Sequence, residues 1–144
     1  MTDAADVASV KEALDHMLNA YVRGDLDAVR RSFLPDASLA LIGTGADERA
    51  TCVDEAMKLF ERDASQADKV SVETDWYAVG VEGDVAWTAG DARYHVMIEG
   101  QEHVFELRNT CVLVRRQGQW LVVQSHASLP AAGQAEGRSY PAEA

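Results

Sequence analysis

The sequence predicts an α+β fold, a cone-shaped, curved antiparallel (mixed) sheet with three N-terminal helices packed on its concave face. Apolar residues in the N-terminal part recur at helical spacing, and from Lys69 onward they alternate with period two. Three glycine-bearing turn signals, Glu82-Gly83, Glu99-Gly100 and Gln117-Gly118, then divide the chain as far as Ser128 into four long strands of a meander.

The first helix is carried by Val7, Val10, Leu14, Met17, Leu18 and Tyr21, with Gly24 where a left-handed C-terminal cap belongs. Asp25 is placed to accept the free amides of a short second helix that buries Leu26, Val29 and Phe33 and stops before Pro35. Ala37 to Ile42 forms a compact apolar strand closed by Gly43-Thr44-Gly45. A third helix starts near Thr51, with Asp54 as its capping partner, and buries Val53, Ala56, Met57 and Phe60.

A chain of 144 residues suits one domain, expected over 1–130, with 131–144 as a flexible tail rich in Ala, Gly and Glu. Its 24 acidic against 13 basic residues, a formal charge of -11, argue against nucleic acid and against anionic membrane. Cys52 and Cys111 lie in apolar patterns without metal-ligand spacing and read as buried thiols. The N-terminal residues are acidic and lack a signal-peptide pattern, and no apolar run is long enough to span a membrane, so a cytoplasmic location is expected.

Two-residue loops that set Val81 opposite Asp84, Ile98 opposite Gln101 and Arg116 opposite Gln119 fix the register by counting. The count sets Thr74 against Asp91, Asp91 against Arg108, and Thr110 against Ser125. One face then holds Val70, Val72, Trp76, Trp87, Val112, Val114, Leu121 and Val123, with Thr74, Asp91, Arg93, Glu106, Arg108, Thr110 and Ser125 as its polar members. This is the expected concave face. The other carries Asn109, Cys111, Leu113, Trp120, Val122, Gln124 and His126, a mixture that suits contact with a second subunit. A single bulge would invert part of this count.

Gly24-Asp25-Leu26-Asp27, Phe33-Leu34-Pro35-Asp36-Ala37 and the closing Gly118-Gln119-Trp120-Leu121-Val122-Val123 with His126-Ala127-Ser128 resemble the SnoaL-like (polyketide cyclase-like) branch of the nuclear transport factor 2-like superfamily over roughly residues 5–130. The resemblance implies a pocket inside the cone and a homodimer through the outer sheet face, here Asn109, Trp120, Val122, Gln124 and His126. It includes ketosteroid isomerases, scytalone dehydratase and polyketide cyclases. At the positions matching the steroid isomerases' catalytic Asp and helix-one Tyr this sequence has Leu41 and Met17.

Candidate ligand-binding residues follow from the concave face. Asp91 and Arg108 form an ion pair on the pocket floor, in which Arg108 offers a donor fork to a carboxylate; the plain alternative is a pair that only fixes register. Trp76 and Trp87 wall a site for a flat apolar ligand or serve as core. Thr110 and Ser125 add hydroxyls, and Met17 and Tyr21 close the cone from helix one. His126 is the most tempting acid-base group, although alternation puts it on the outer face. His95 and His103 flank one hairpin on opposite faces, which argues against a shared metal.

Two functions fit these residues. The preferred one is a dimeric small-molecule-binding domain whose pocket takes an aromatic or carboxylate-bearing organic ligand. The alternative is an isomerase, dehydratase or cyclase acting on a polyketide-like or steroid-like substrate, with Asp91 or His126 as proton carrier. Neither calls for a metal or a cofactor.

Overall fold

The computed structural model describes residues 3–36 and 38–142. Asp3 caps the first helix, α1 (Ala4–Arg23), by accepting the Ala5 amide at 2.9 Å, and Gly24 ends it at φ 72°. Asp25 caps α2 (Leu26–Arg31) through the Ala28 amide at 3.1 Å. Short strands β1 (Ala40–Ile42) and β2 (Arg49–Ala50) precede α3 (Val53–Gln66). Ala37, placed in the first strand by sequence, lies outside the described residues. Cys52 is the N-cap of α3, and Thr51 just before it donates both its amide and its hydroxyl to Glu55 Oε1, at 3.1 and 2.8 Å. The expected partner, Asp54, instead pairs with Arg30 at 3.0 Å.

Four long strands follow, β3 (Lys69–Glu82), β4 (Val85–Ile98), β5 (Gln101–Arg116) and β6 (Gln119–Ser128). All six strands form one sheet in the order β2-β1-β6-β5-β4-β3, and β1 runs parallel to β6. The chain is therefore α+β with a mixed, curved sheet and helices on its inner side. Among the described residues no helix is long and apolar enough to cross a membrane. Residues 131–142 close turns of their own, including Ala142 N–H to Gly133 O at 3.2 Å.

The hairpins at Glu99-Gly100 and Gln117-Gly118 adopt positive φ at both residues, as their sequences predict. The β3–β4 loop is Gly83-Asp84, one residue later than expected, so Val81 pairs with Ala86 and Ala78 with Ala89. Two bulges do more. One falls at Asp75, between Thr74 and Trp76, and the other at Val123, beside the Val112/Leu113 step. Asp75 is held there by Arg93, whose Nε and Nη2 reach its carboxylate at 3.0 and 2.9 Å.

The helix-covered face proves to be the opposite of the one counted from sequence. Ala86, Thr88, Cys111, Leu113, Trp120 and Val122 are buried under the helices, whereas Trp76 and Trp87 remain 53% and 48% exposed on the outside. Both faces are rich in apolar residues, so alternation alone does not say which one the helices choose. The inner face has small residues at Ala86, Gly90 and Ala92, which let elements approach. A side chain at Gly80 would overlap the Trp87 indole, which lies flat across it on the outside. Val70, Val72 and Thr74 stay inside because the Asp75 bulge reverses β3 beyond it.

The core joins Val10 and Val29 from the helices and Phe33, just past α2, to Leu113 and Val122 from the sheet, all fully buried. Replacing Leu113 with Ala should cost about 2–5 kcal/mol of stability, while Val104→Ala, at a half-exposed outer position, should stay within about 0.5 kcal/mol. Denaturant midpoints measured on both variants check this.

Candidate functional site

The helices fill only part of the inner face. Between α1, α3 and the bent sheet lies a cavity of about 430 Å³. Leu14, Met17, Leu18 and Tyr21 reach it from α1, Leu59, Phe60 and Asp63 from α3, and Ile42, Gly43, Thr44 and Glu48 from the β1–β2 turn. The sheet gives Val70, Tyr77, Thr88, Gly90, Ala92, Tyr94, Val96, Phe105, Leu107, Asn109, Cys111 and Ser125. Gly90 keeps the wall thin where the Asp75 bulge brings β3 close, since a Cβ there would sit 3.1 Å from the Trp76 carbonyl.

The cavity has two polar centres. In the first, the Tyr21 hydroxyl donates to Asp63 Oδ2 at 3.0 Å. Burial pushes the Asp63 carboxyl above the usual carboxylate range, and Glu48 adds to this, while the Tyr21 hydrogen bond and Arg62 oppose it. Burial and the same carboxylate raise the Tyr21 phenol. Rings enclose the pair, with Tyr21 meeting Phe60 edge-on at 5.9 Å and Tyr94 at 6.5 Å between centroids. Burial takes the Tyr94 phenol up to about 12.

The second centre is on the sheet. Asn109 Nδ2 donates to Ser125 Oγ at 3.3 Å and to the His126 carbonyl at 3.2 Å, and Cys111 Sγ–H points to Asn109 Oδ1 at 3.2 Å. The Cys111 thiol is pushed up by burial. Near it the Tyr77 hydroxyl is buried without a hydrogen-bond partner, a donor left for whatever occupies the cavity.

Of the residues proposed from sequence, Met17, Tyr21 and Ser125 line this cavity. Asp91 borders it but is exposed, and pairs in register with Arg108 on the outer face. No ion pair joins those two among the described residues; Arg108 Nη2 turns to the Leu129 carbonyl at 3.5 Å. Trp76, Trp87, Arg108, Thr110 and His126 all lie on the outer face, away from the cavity. The Val123 bulge is the physical reason that Thr110 faces His126 rather than Ser125. The same inversion puts Asn109, Trp120 and Val122, expected outside, on the inner side, and leaves only Gln124 and His126 of that set facing out. His95 bonds Glu102 at 3.1 Å, and His103 stacks on Phe105.

Cys111 is buried as expected, whereas Cys52 is exposed. Sequence reasoning missed Asp63, Tyr77, Tyr94 and Asn109. A signal for Asp63 was present: it continues the apolar stripe Val53, Ala56, Met57, Phe60 by one more helical step, where a carboxylate is out of place.

Residues 10–132 match the model of the SnoaL-like domain. The chain belongs to the SnoaL-like domain family. No curated protein matches it. Among solved structures, this SnoaL-like chain is similar to a nuclear transport factor 2 (NTF2-like) superfamily protein from Salmonella enterica, at TM-score 0.82 and 18% identity over 96% of this chain and all of that one. An NTF2-like protein of unknown function from Pseudomonas putida gives 0.80 and 15% over 98% and 96%. A ketosteroid isomerase-like protein from Erwinia carotovora gives 0.75 and 17% over 90% and 99%. At these identities the likeness is one of fold.

Because folding raises the Asp63 pKa, the native SnoaL-like domain binds more protons than the unfolded chain between the two values. The carboxyl's contribution to stability therefore falls as pH rises through that window. Asp63→Asn should stabilise the domain at pH 7. The gain should shrink as pH drops into the carboxylate range. Thermal unfolding of both proteins across pH tests this, and a less stable variant at pH 7 contradicts it.

Proposed function

We propose that this SnoaL-like domain binds a small, largely apolar or aromatic organic molecule in the cavity between its helices and its sheet, and that it works as a homodimer through the outer sheet face. The cavity's lining carries the first part: long apolar walls with a few converging polar groups are the usual make-up of a ligand site. A carboxylate-bearing ligand was expected from Arg108. That cation is on the other side of the sheet, and among the described residues no Lys, Arg or His lines the cavity.

For the second part, Trp76, Val85, Trp87 and Val104 leave an apolar outer face uncovered by any helix. Large apolar side chains left exposed on one sheet face favour association.

One observation favours a second reading, an isomerase- or dehydratase-type enzyme acting on a polyketide-like or steroid-like substrate. A general base near neutral pH needs an inward carboxylate with an elevated pKa. Asp63 meets that need better than Asp91 or His126, with Tyr77 and Tyr94 as hydrogen-bond donors across the cavity. On this reading Asp63→Asn lowers kcat by about 10²–10⁴, whereas His126→Ala leaves it unchanged.

A thermal-shift screen with neutral aromatic and polycyclic compounds should give hits that raise the Tm by several degrees at about 100 times Kd. Ala92→Phe, which drives a ring into the cavity, should abolish these shifts without unfolding the domain; shifts that survive the variant place the ligand elsewhere. Sedimentation of Trp87→Glu should give half the mass of the wild type, and an unchanged mass removes the outer face as the interface.

A further inference from the structure

The charges of the cavity wall are one-sided. Asp15, Glu48, Asp63 and Asp91 border it, and among the described residues no Lys, Arg or His lines it. Glu48 is already satisfied by Arg62 at 3.1 Å and by the Gly45 amide at 2.9 Å. Asp63 is different. It lines the cavity together with Tyr21, Phe60 and Tyr94, its side chain accepts a hydrogen bond from the neutral Tyr21 phenol, and Arg62, one residue before it, is turned to Asp47 and Glu48. Aromatic faces arranged around a carboxylate attract a cation twice, through ring quadrupole and through charge, and both attractions grow as water is excluded. Tyr77 already draws a cation on its helix side, where Lys11 Nζ lies 5.8 Å from the ring centroid.

We propose that the ligand of this cavity is an organic amine: a protonated or quaternary ammonium seated against Asp63 and the rings of Tyr21, Phe60 and Tyr94, on an apolar body that extends over Val96 and Leu107. This rests on the cavity being the ligand site and adds the ligand's charge. An anion of the same shape would meet the Asp63 carboxylate, and a neutral ligand would leave that carboxylate without a counter-charge.

One carbon skeleton in three charge states separates these cases. Calorimetric titration of the full chain with 1-adamantylammonium, 1-adamantanol and 1-adamantanecarboxylate should show the ammonium binding roughly tenfold or more tighter than the alcohol, with no binding of the carboxylate. In Asp63→Asn the ammonium should fall to the alcohol's affinity while the alcohol's is unchanged. That variant alters the total charge by one unit in eleven, so general attraction to an acidic protein would survive it. An alcohol that binds as well as the ammonium, or an ammonium preference that persists in Asp63→Asn, overturns the amine assignment and leaves the cavity as a site for neutral molecules. If none of the three binds the wild type, the cavity reading falls together with it.

Discussion

Phe33, Leu113 and Val122 are where the molecule is tied together. Phe33 leaves α2 and bridges in parallel to Val122 on β6, which pairs with Leu113 on β5, and all three side chains are fully buried. Backbone bonds across the same junction, Leu34 N–H to Val122 O at 3.1 Å and Val122 N–H to Ser32 O at 2.8 Å, fasten the helical layer to the sheet. At the neighbouring end Arg115 spans from α1 to the β3–β4 turn, bonding Asp6 at 2.8 Å and Asp84 at 3.0 Å while lying over Trp120. Everything else follows from this one-sided anchoring. Strands of 14–16 residues extend beyond what the anchored helices cover, and the bent sheet beyond the junction encloses space instead of packing solid.

That space explains why Asp63 and Tyr21 coexist with a stable core. A carboxyl placed on the apolar stripe of α3 costs stability, and a domain folded only for packing would have Leu there. The site's polar groups are instead held by neighbours: Tyr21 orients Asp63, and Ser125 and Asn109 orient each other. Such local conflict between burial and polarity is what a binding site looks like when the rest of the sequence agrees with its fold.

The end of the first helix, the start of the second, the hairpin glycines and the direction of the meander were legible because each rests on a local rule: Asp25 as a cap, Gly24 as a stop, Glu99-Gly100 and Gln117-Gly118 as turns. The faces of the sheet were not. They depend on which apolar side the helices select, and Trp76 and Trp87 made the outer side look like the core. The two bulges then partly cancelled the error. Ser125 reached the inside and His126 the outside as expected, though by a different register. Neither the bulge at Asp75 nor the one at Val123 left a trace in the alternation. Candidate residues on the helices, Met17 and Tyr21, were therefore found more readily than those on the strands.

The central claim is that ligands enter the inner cavity and not the tryptophan-bearing outer face. The most direct measurement is an amide NMR titration of the uniformly labelled domain with a small aromatic amine. The account predicts shifts at Tyr21, Asp63, Gly90 and Asn109, with Gly80 and Trp87 unmoved. Shifts confined to Trp76, Gly80 and Trp87 would contradict it and make the outer face the binding surface.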